Sequence, residues 1–434
     1  LKQKIKTILI YVSGNILYQL PPILLLPFLT HHLSQSDYGI VTLFVKMTAF
    51  ALPIATLGIK IAAKKGFYKN NSGDFKALFA TALLLPLLIL PLWGILLYLF
   101  SPYIAQYLGF PRNWLWAVLL FVACRHLFVL GLDYVRSLKK PYWYVFFKNG
   151  SALAEVLITL VLISTFHLSY EGRIGGILAA KIIFTALLLL ALWAKGYLTW
   201  TFNRPFAQKI WTESAALLPM VMLGIAFKSI DIFLAAYWLG ADATGIYGVA
   251  LRIAAAIALV QTGILMATQP LYLEKLAQTE PHPNTPLQVA QYLLLEWVVF
   301  ILIAFILAIF VIPLVFPYLV GNRFADALSL VLPLSLSYVM LGIGQSLSVI
   351  LAFFEQYRVS NTANIVGLLA LLGISAVLAP LYGLQGMAWA TCLAYSLTVV
   401  ILLWHFSKAY PLPWKNACFG LANAAKIKLA KHLF

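Results

Sequence analysis

The stretch KALFATALLLPLLILPLWGILLYLF, residues 76–100, has one charge at its start and is otherwise apolar or weakly polar. About 20 such residues cover a hydrocarbon core of about 30 Å. Lipid supplies no hydrogen-bond partners, so a segment of this kind must close its backbone bonds internally, as a helix. Stretches like it recur from end to end of the 434 residues, and charged residues make up 10% of the chain, against about 25% in a soluble domain. The expected fold is all-α and polytopic in a membrane, with no soluble domain left over.

Apolar runs between polar turns place twelve helices near residues 7–30, 38–63, 76–100, 113–135, 143–167, 174–195, 213–239, 245–270, 289–316, 324–350, 359–381 and 383–407. Prolines inside them, such as Pro53, Pro86, Pro219 and Pro333, imply kinks. Bent helices suit a protein that rearranges. The turns on one side and the two ends collect 21 of the 30 lysines and arginines, whereas the other side carries Arg112, Arg173 and Arg323. Cytoplasmic loops gather such cations, so both termini are expected in the cytoplasm. The first segment follows Lys2, Lys4 and Lys6 but is too long for a signal peptide, and it reads as a retained helix. Most of the net charge of +17 is this orientation signal, so no nucleic-acid partner is implied.

The connection at residues 197–212 mixes basic and aromatic residues and reads as an interfacial linker between two halves. The expected organisation is an N-terminal six-helix lobe at 1–196, the linker at 197–212, a C-terminal six-helix lobe at 213–408 and a basic cytoplasmic tail at 409–434. A shift of 206 residues sets LSQSDYGIVTLFVK, residues 33–46, over LGADATGIYGVALR, residues 239–252. It matches Leu33 with Leu239, Gly39 with Gly245, Ile40 with Ile246 and Lys46 with Arg252. Each stretch is an outer turn leading into the second helix of a half. That predicts two parallel repeats related by a pseudo-twofold axis along the membrane normal, with any substrate path between them.

Six basic residues fall inside the expected helices: Lys46, Lys60, Arg125, Lys181, Lys228 and Arg252. The acids at comparable depth are Glu155, Asp231 and Glu296, with Asp133 near an inner end. A cation in the middle of a span costs about 2.5 to 3.5 kcal/mol on insertion scales, so ionisable residues there meet a partner or a watery cavity. The cationic excess suits an anionic substrate, with Lys46, Arg252, Arg125, Lys228 and Lys181 as candidate ligands. Bland alternatives stand beside this reading. Lys60 and Lys181 are near enough to helix ends to snorkel, and Lys228 and Asp231, three residues apart, suit a local ion pair. Glu155, Glu296 and Asp231 are candidates for carrying a coupling proton or sodium ion, Asp231 less so because a basic neighbour is at hand. Cys124, Cys392 and Cys418 have no disulfide or zinc spacing, and the pair His31 and His32 reads as an outer turn, so neither metal nor cofactor is implied.

The run LLLPFLTHHLSQSDYGIVTLF closing the first helix, LGIKIAAKKGFYKN at the inner end of the second, and IDIFLAAYWLGADATGIYGVALRI opening the second half resemble the polysaccharide transporter family. That family lies in the MATE-like multidrug/oligosaccharidyl-lipid/polysaccharide superfamily and includes Wzx-type O-antigen and capsule repeat-unit flippases. The resemblance implies a MATE-like fold of two six-helix lobes around a cavity in a bacterial inner membrane. It implies undecaprenyl-pyrophosphate-linked oligosaccharides as substrate, with glycan polymerase and chain-length regulator proteins as partners. No short signature carries site residues across. Two rival readings remain: an ion-coupled exporter of small molecules, for which acids would be expected in the cavity, and a membrane enzyme of glycan assembly. The latter needs a large outer loop or an acidic donor-binding motif, and this chain has short outer turns. No GxxxxGK[ST] phosphate loop is present, so the transporter reading draws its energy from an ion gradient or from use of the product.

Overall fold

A computed structural model describes residues 20–56, 72–277 and 285–410, together with residues 14, 17, 18, 59, 413, 414, 416 and 417. Lys60, the basic N-terminal start, the turn holding Lys64, Lys65 and Lys69, and nearly all of the basic tail lie outside the described residues. Within them every regular element is a helix: α1 (Leu26–His32), α2 (Gln35–Thr56), α3 (Ser72–Leu108), α4 (Leu115–Ser137), α5 (Pro141–Ser164), α6 (Tyr170–Ala194), α7 (Arg204–Phe227), α8 (Ile230–Leu276), α9 (Thr285–Ile306), α10 (Ile312–Leu319), α11 (Ala327–Phe353) and α12 (Tyr357–Ala409). Nine helices among the described residues are long and apolar enough to cross a membrane. The chain is a multi-pass membrane protein.

The helix boundaries depart from the twelve expected segments in ways the backbone explains. The two expected outer turns, at LGADAT and LYG, are as short as one glycine each, at which the runs Ile230–Leu276 and Tyr357–Ala409 break into two helices. Gly240 (φ 84°, ψ −177°) bends α8 and Gly383 (φ 57°, ψ −136°) bends α12. The Gly240 geometry is open essentially to glycine alone, so one residue turns the chain while its neighbours stay helical. The expected helix over 213–239 is in fact broken. α7 starts earlier, at Arg204, ends at Phe227, and the chain re-enters a helix at Ile230. Within the connection at 197–212, residues 197–203 are non-helical and the rest forms the first turns of α7, with the Asn203 side chain accepting from the Phe206 amide as its N-cap. After α9 the helix widens to a π segment over Leu307–Val311 just before Pro313. A proline there lacks its own amide hydrogen and crowds the carbonyl four residues back, and the wider turn relieves both.

By packing, the described chain forms two units. One runs up to Gly248 and takes in Leu319–Phe324; the other comprises Val249–Tyr318 and the residues from Ala325 onward. The first unit's core gathers Phe79, Phe128, Val135, Phe147, Leu188 and Leu192 from α3, α4, α5 and α6. The second gathers Tyr272, Leu293, Phe300, Leu347 and Phe406. The outward faces are apolar too: Leu88 and Leu92 on α3 and Leu314 on α10 are all more than half exposed, as lipid-facing residues should be. Outside the spans, Lys140 donates to the Tyr197 hydroxyl at 2.8 Å. That bond, with the lysine's charge, holds the phenol below its ordinary titration range.

One helix crossing in the first unit is built on glycine. A Cβ at Gly39 on α2 would lie 2.2 Å from the Ala241 carbonyl oxygen, and one at Gly245 on α8 would lie 1.9 Å from the Gln35 carbonyl oxygen. A Cβ at Gly248 would lie 2.5 Å from the Thr42 hydroxyl. The backbones touch, and only glycine permits it. Gln35 and Ala241, Gly39 and Gly245, and Thr42 and Gly248 are each 206 residues apart, the spacing of the sequence repeat.

Candidate functional site

Lys46 stands 11 residues into α2, about 16 Å along its axis. Its ammonium donates to the backbone carbonyl of Lys228 at 3.1 Å and lies 3.9 Å from the Asp231 carboxylate. The break between α7 and α8 makes both contacts possible. Ending α7 at Phe227 frees carbonyls at the helix's negative end, where a cation is favoured, and restarting at Ile230 puts Asp231 beside it. At 3.9 Å and an effective dielectric of about 20 the pair's attraction is about 4 kcal/mol. That attraction offsets part of the insertion cost of a lone lysine, and the burial of Asp231 draws on it as well; the Lys228 carbonyl is the second local partner of Lys46. Asp231 is buried, and the Tyr247 hydroxyl, also buried, bonds to it. The ion pair expected between Lys228 and Asp231 is replaced by Lys46 and Asp231: Lys228 contributes its carbonyl, and its side chain is exposed. A helix break between the two residues removes the i, i+3 geometry that expectation assumed.

A second charged cluster lies between α4, α5 and α6. Arg173, expected in an outer turn, is inside α6 and 4% exposed. Its guanidinium donates to Glu155 at 2.7 Å and to the Thr159 hydroxyl at 3.0 Å. Glu155 had no cation near it in sequence, but it has one in space, which weakens it as an ion carrier. Lys181 does not snorkel. It is buried, donates to the Ser151 hydroxyl at 3.0 Å and sits 4.4 Å from the centre of the Phe128 ring. Arg125, half-buried on α4, lies within electrostatic reach of Lys181 and packs over Phe121. Among the described residues no carboxylate lies within ion-pair distance of Lys181 or Arg125. With Glu155 held by Arg173 and Asp231 by Lys46, this part of the first unit keeps a positive excess.

The second unit holds Arg252, half-buried on α8, and Glu296 on α9. Glu296 is 1% exposed; the Thr268 hydroxyl donates to one of its oxygens, and the other has no hydrogen-bond partner among the described residues. The Ser346 hydroxyl, which accepts from the Trp297 indole at 3.0 Å, and the buried Tyr272 hydroxyl complete its surroundings. No lysine or arginine forms an ion pair with it among the described residues. The His31 and His32 rings bond carbonyls one turn back, at 2.7 and 2.9 Å.

Sequence reasoning missed Arg173, Ser151, Thr159 and Tyr247 as partners. Only Arg173 left a trace: in SYEGRIGG, three residues of helix before the arginine suffice to carry it below the rim.

The fold is shared with MATE-family transporters and with a lipid II flippase. No protein-family model matches the chain, and no curated protein matches it by sequence. Solved structures do. An inward closed conformation of the lipid II flippase MurJ superposes with a TM-score of 0.69 at 13% identity, covering 99% of this chain and 92% of that one. An inward-facing MATE-family multidrug resistance transporter of the MOP superfamily gives 0.69 at 14% identity over 90% and 94%. The MATE multidrug transporter DinF-BH, solved as a ligand complex, gives 0.63 at 14% identity over 92% and 94%. These neighbours are transporters and flippases rather than enzymes.

Proposed function

We propose that this protein is a flippase for lipid-linked oligosaccharide diphosphates, working by alternating access between two lobes of six helices in a bacterial inner membrane with both termini cytoplasmic. The observation that carries the reading is the positive excess inside the first unit, where among the described residues Arg125 and Lys181 face no carboxylate at ion-pair distance while Glu155 and Asp231 are held by other cations. An excess of cations in a membrane interior calls for an anion, and a diphosphate headgroup supplies one that arginine can grip with two hydrogen bonds. The fold shared with a lipid II flippase supports a substrate of that chemical class. Arg252, at the position matching Lys46 in the repeat, and Lys228 are further candidate ligands for the anion. O-antigen, capsule or exopolysaccharide repeat units fit this description, with polymerase and chain-length regulator proteins receiving them. The 206-residue spacing of Gln35 with Ala241, Gly39 with Gly245 and Thr42 with Gly248 across the glycine crossing supports a pseudo-twofold relation between lobes.

Glu296 is the candidate for ion coupling: a buried carboxylate among hydroxyl groups, with no cation at ion-pair distance among the described residues, can hold a proton or give it up. It also favours a second reading, an ion-coupled exporter of small molecules. The experiment that separates the two reconstitutes the protein in liposomes and measures translocation of a fluorescent polyprenyl-diphosphate oligosaccharide and of a cationic dye. Arg125→Gln with Lys181→Met should abolish headgroup translocation. Dye transport in the wild type that this double variant leaves intact, with no lipid-linked substrate moved by the wild type, would replace the flippase reading by the exporter.

A further inference from the structure

At the end of α3 and α4 opposite the basic turns, the first unit carries an open groove of about 480 Å³ with one charged residue in it, Arg112. Its walls are Gly94, Leu97 and Tyr98 from α3 and Trp116 and Leu119 from α4, and its rim is formed by Ser101, Arg112 and Asn113. Arg112 sits in a short 3₁₀ turn between the two helices, and its guanidinium donates to the Ser101 hydroxyl at 3.3 Å. No carboxylate lies within ion-pair distance of it among the described residues, which sets it apart from Arg173, tied to Glu155 on the same side. The residue is exposed at the rim.

The depth of the groove is fixed by its aromatic residues. Tyr98 is 78% exposed and Trp116 54%, and Trp114 stacks on Trp116 with ring centres 5.8 Å apart. Amphipathic rings of this kind collect at headgroup level. Gly94 lies seven residues below Ser101 on α3, about 10 Å further into the membrane. Its missing side chain keeps the floor open, because a Cβ there would stand 3.3 Å from the Leu119 side chain. The feature therefore reads downward as cation and amide at the headgroup level, then ring, then aliphatic wall.

We infer that this groove is a binding site for one anionic phospholipid of the leaflet at that face, with its phosphate on Arg112 and Asn113 and an acyl chain lying along Leu97, Gly94 and Leu119. A diacyl lipid is the occupant that matches both halves of the site: an anion at the rim satisfies the arginine, and hydrocarbon fills a groove that water would occupy at a cost. The site lies apart from the charged clusters proposed for transport, and its occupancy does not depend on that proposal.

The test is native mass spectrometry of the full-length protein in detergent, titrated with phosphatidylglycerol or phosphatidylcholine. The wild type should retain one phosphatidylglycerol more tightly than phosphatidylcholine. Arg112→Gln should weaken phosphatidylglycerol about tenfold, as loss of one charge-assisted contact predicts, and Arg112→Lys should recover part of it. Gly94→Leu, which fills the floor and leaves the arginine in place, should weaken both lipids. Thermal unfolding of each variant without added lipid reports whether it is folded. Equal retention of phosphatidylglycerol by wild type and Arg112→Gln, or by wild type and Gly94→Leu, overturns the assignment. So does displacement of phosphatidylglycerol by a polyprenyl diphosphate at lower concentration, which would make the groove part of the substrate path.

Discussion

The glycine crossing allows a quantitative prediction. In Gly245→Ala the new methyl carbon starts 1.9 Å from the Gln35 carbonyl oxygen, and ordinary contact begins near 3.4 Å, so α2 and α8 must separate by about 1.5 Å. Packed helices stand about 8 to 10 Å apart, and neither partner atom is a side chain that can swing away. Overpacking of this severity costs about 1 to 3 kcal/mol, and the rigid backbone on both sides puts this site at the upper end, about 3 kcal/mol, or a shift of more than a hundredfold in the equilibrium. Gly39→Ala requires about 1.2 Å against Ala241. The two substitutions meet at one crossing, so the separation forced by the first largely accommodates the second. The double variant should cost no more than about 1 kcal/mol beyond Gly245→Ala alone. Thermal unfolding in one detergent measures this, with Gly263→Ala on the same α8 as control, since nothing lies within 4 Å of a Cβ there. A Gly245→Ala midpoint equal to that of Gly263→Ala, or strictly additive losses in the double variant, would refute the tight reciprocal crossing.

Glu155→Gln leaves Arg173 buried without its counter-charge and should destabilise by about 3 to 5 kcal/mol, whereas Glu155→Gln combined with Arg173→Met should recover much of the loss; chemical or thermal unfolding of the set checks this. Asp231→Asn removes the one carboxylate at ion-pair distance from Lys46 among the described residues, and adding Lys46→Met should restore stability, as a double-mutant cycle would show. Tyr197 should ionise at lower pH than an ordinary tyrosine, seen by ultraviolet absorbance, and Lys140→Ala should return it to the usual range. Because its folded-state titration is lowered, any contribution to stability is present above the usual tyrosine range and lost as pH falls through the folded value, so neutral-pH stability should not change through this ionisation.

Much of this protein is legible without coordinates. Length and apolarity of the segments dictate helices in a membrane, because no other open structure satisfies its backbone in lipid. Charge bias predicts their orientation, and the 206-residue match of Gly39 with Gly245 and Lys46 with Arg252 is written in the chain. Pairing of charges is not. Glu155 and Arg173 are 18 residues apart on different helices, and Lys46 and Asp231 are 185 residues apart. Which carboxylate a buried cation meets depends on how helices rotate and where they break. The break at Lys228 and Ser229 was invisible to hydropathy, because two polar residues in an apolar run fit a continuous span as well as an interrupted one. Tertiary packing decided that Lys46 caps that break, and that among the described residues Arg125 and Lys181 face no carboxylate at ion-pair distance. Hydropathy reports how much of a helix prefers lipid. Electrostatic pairing acts over a few ångströms, and only the folded chain fixes those distances.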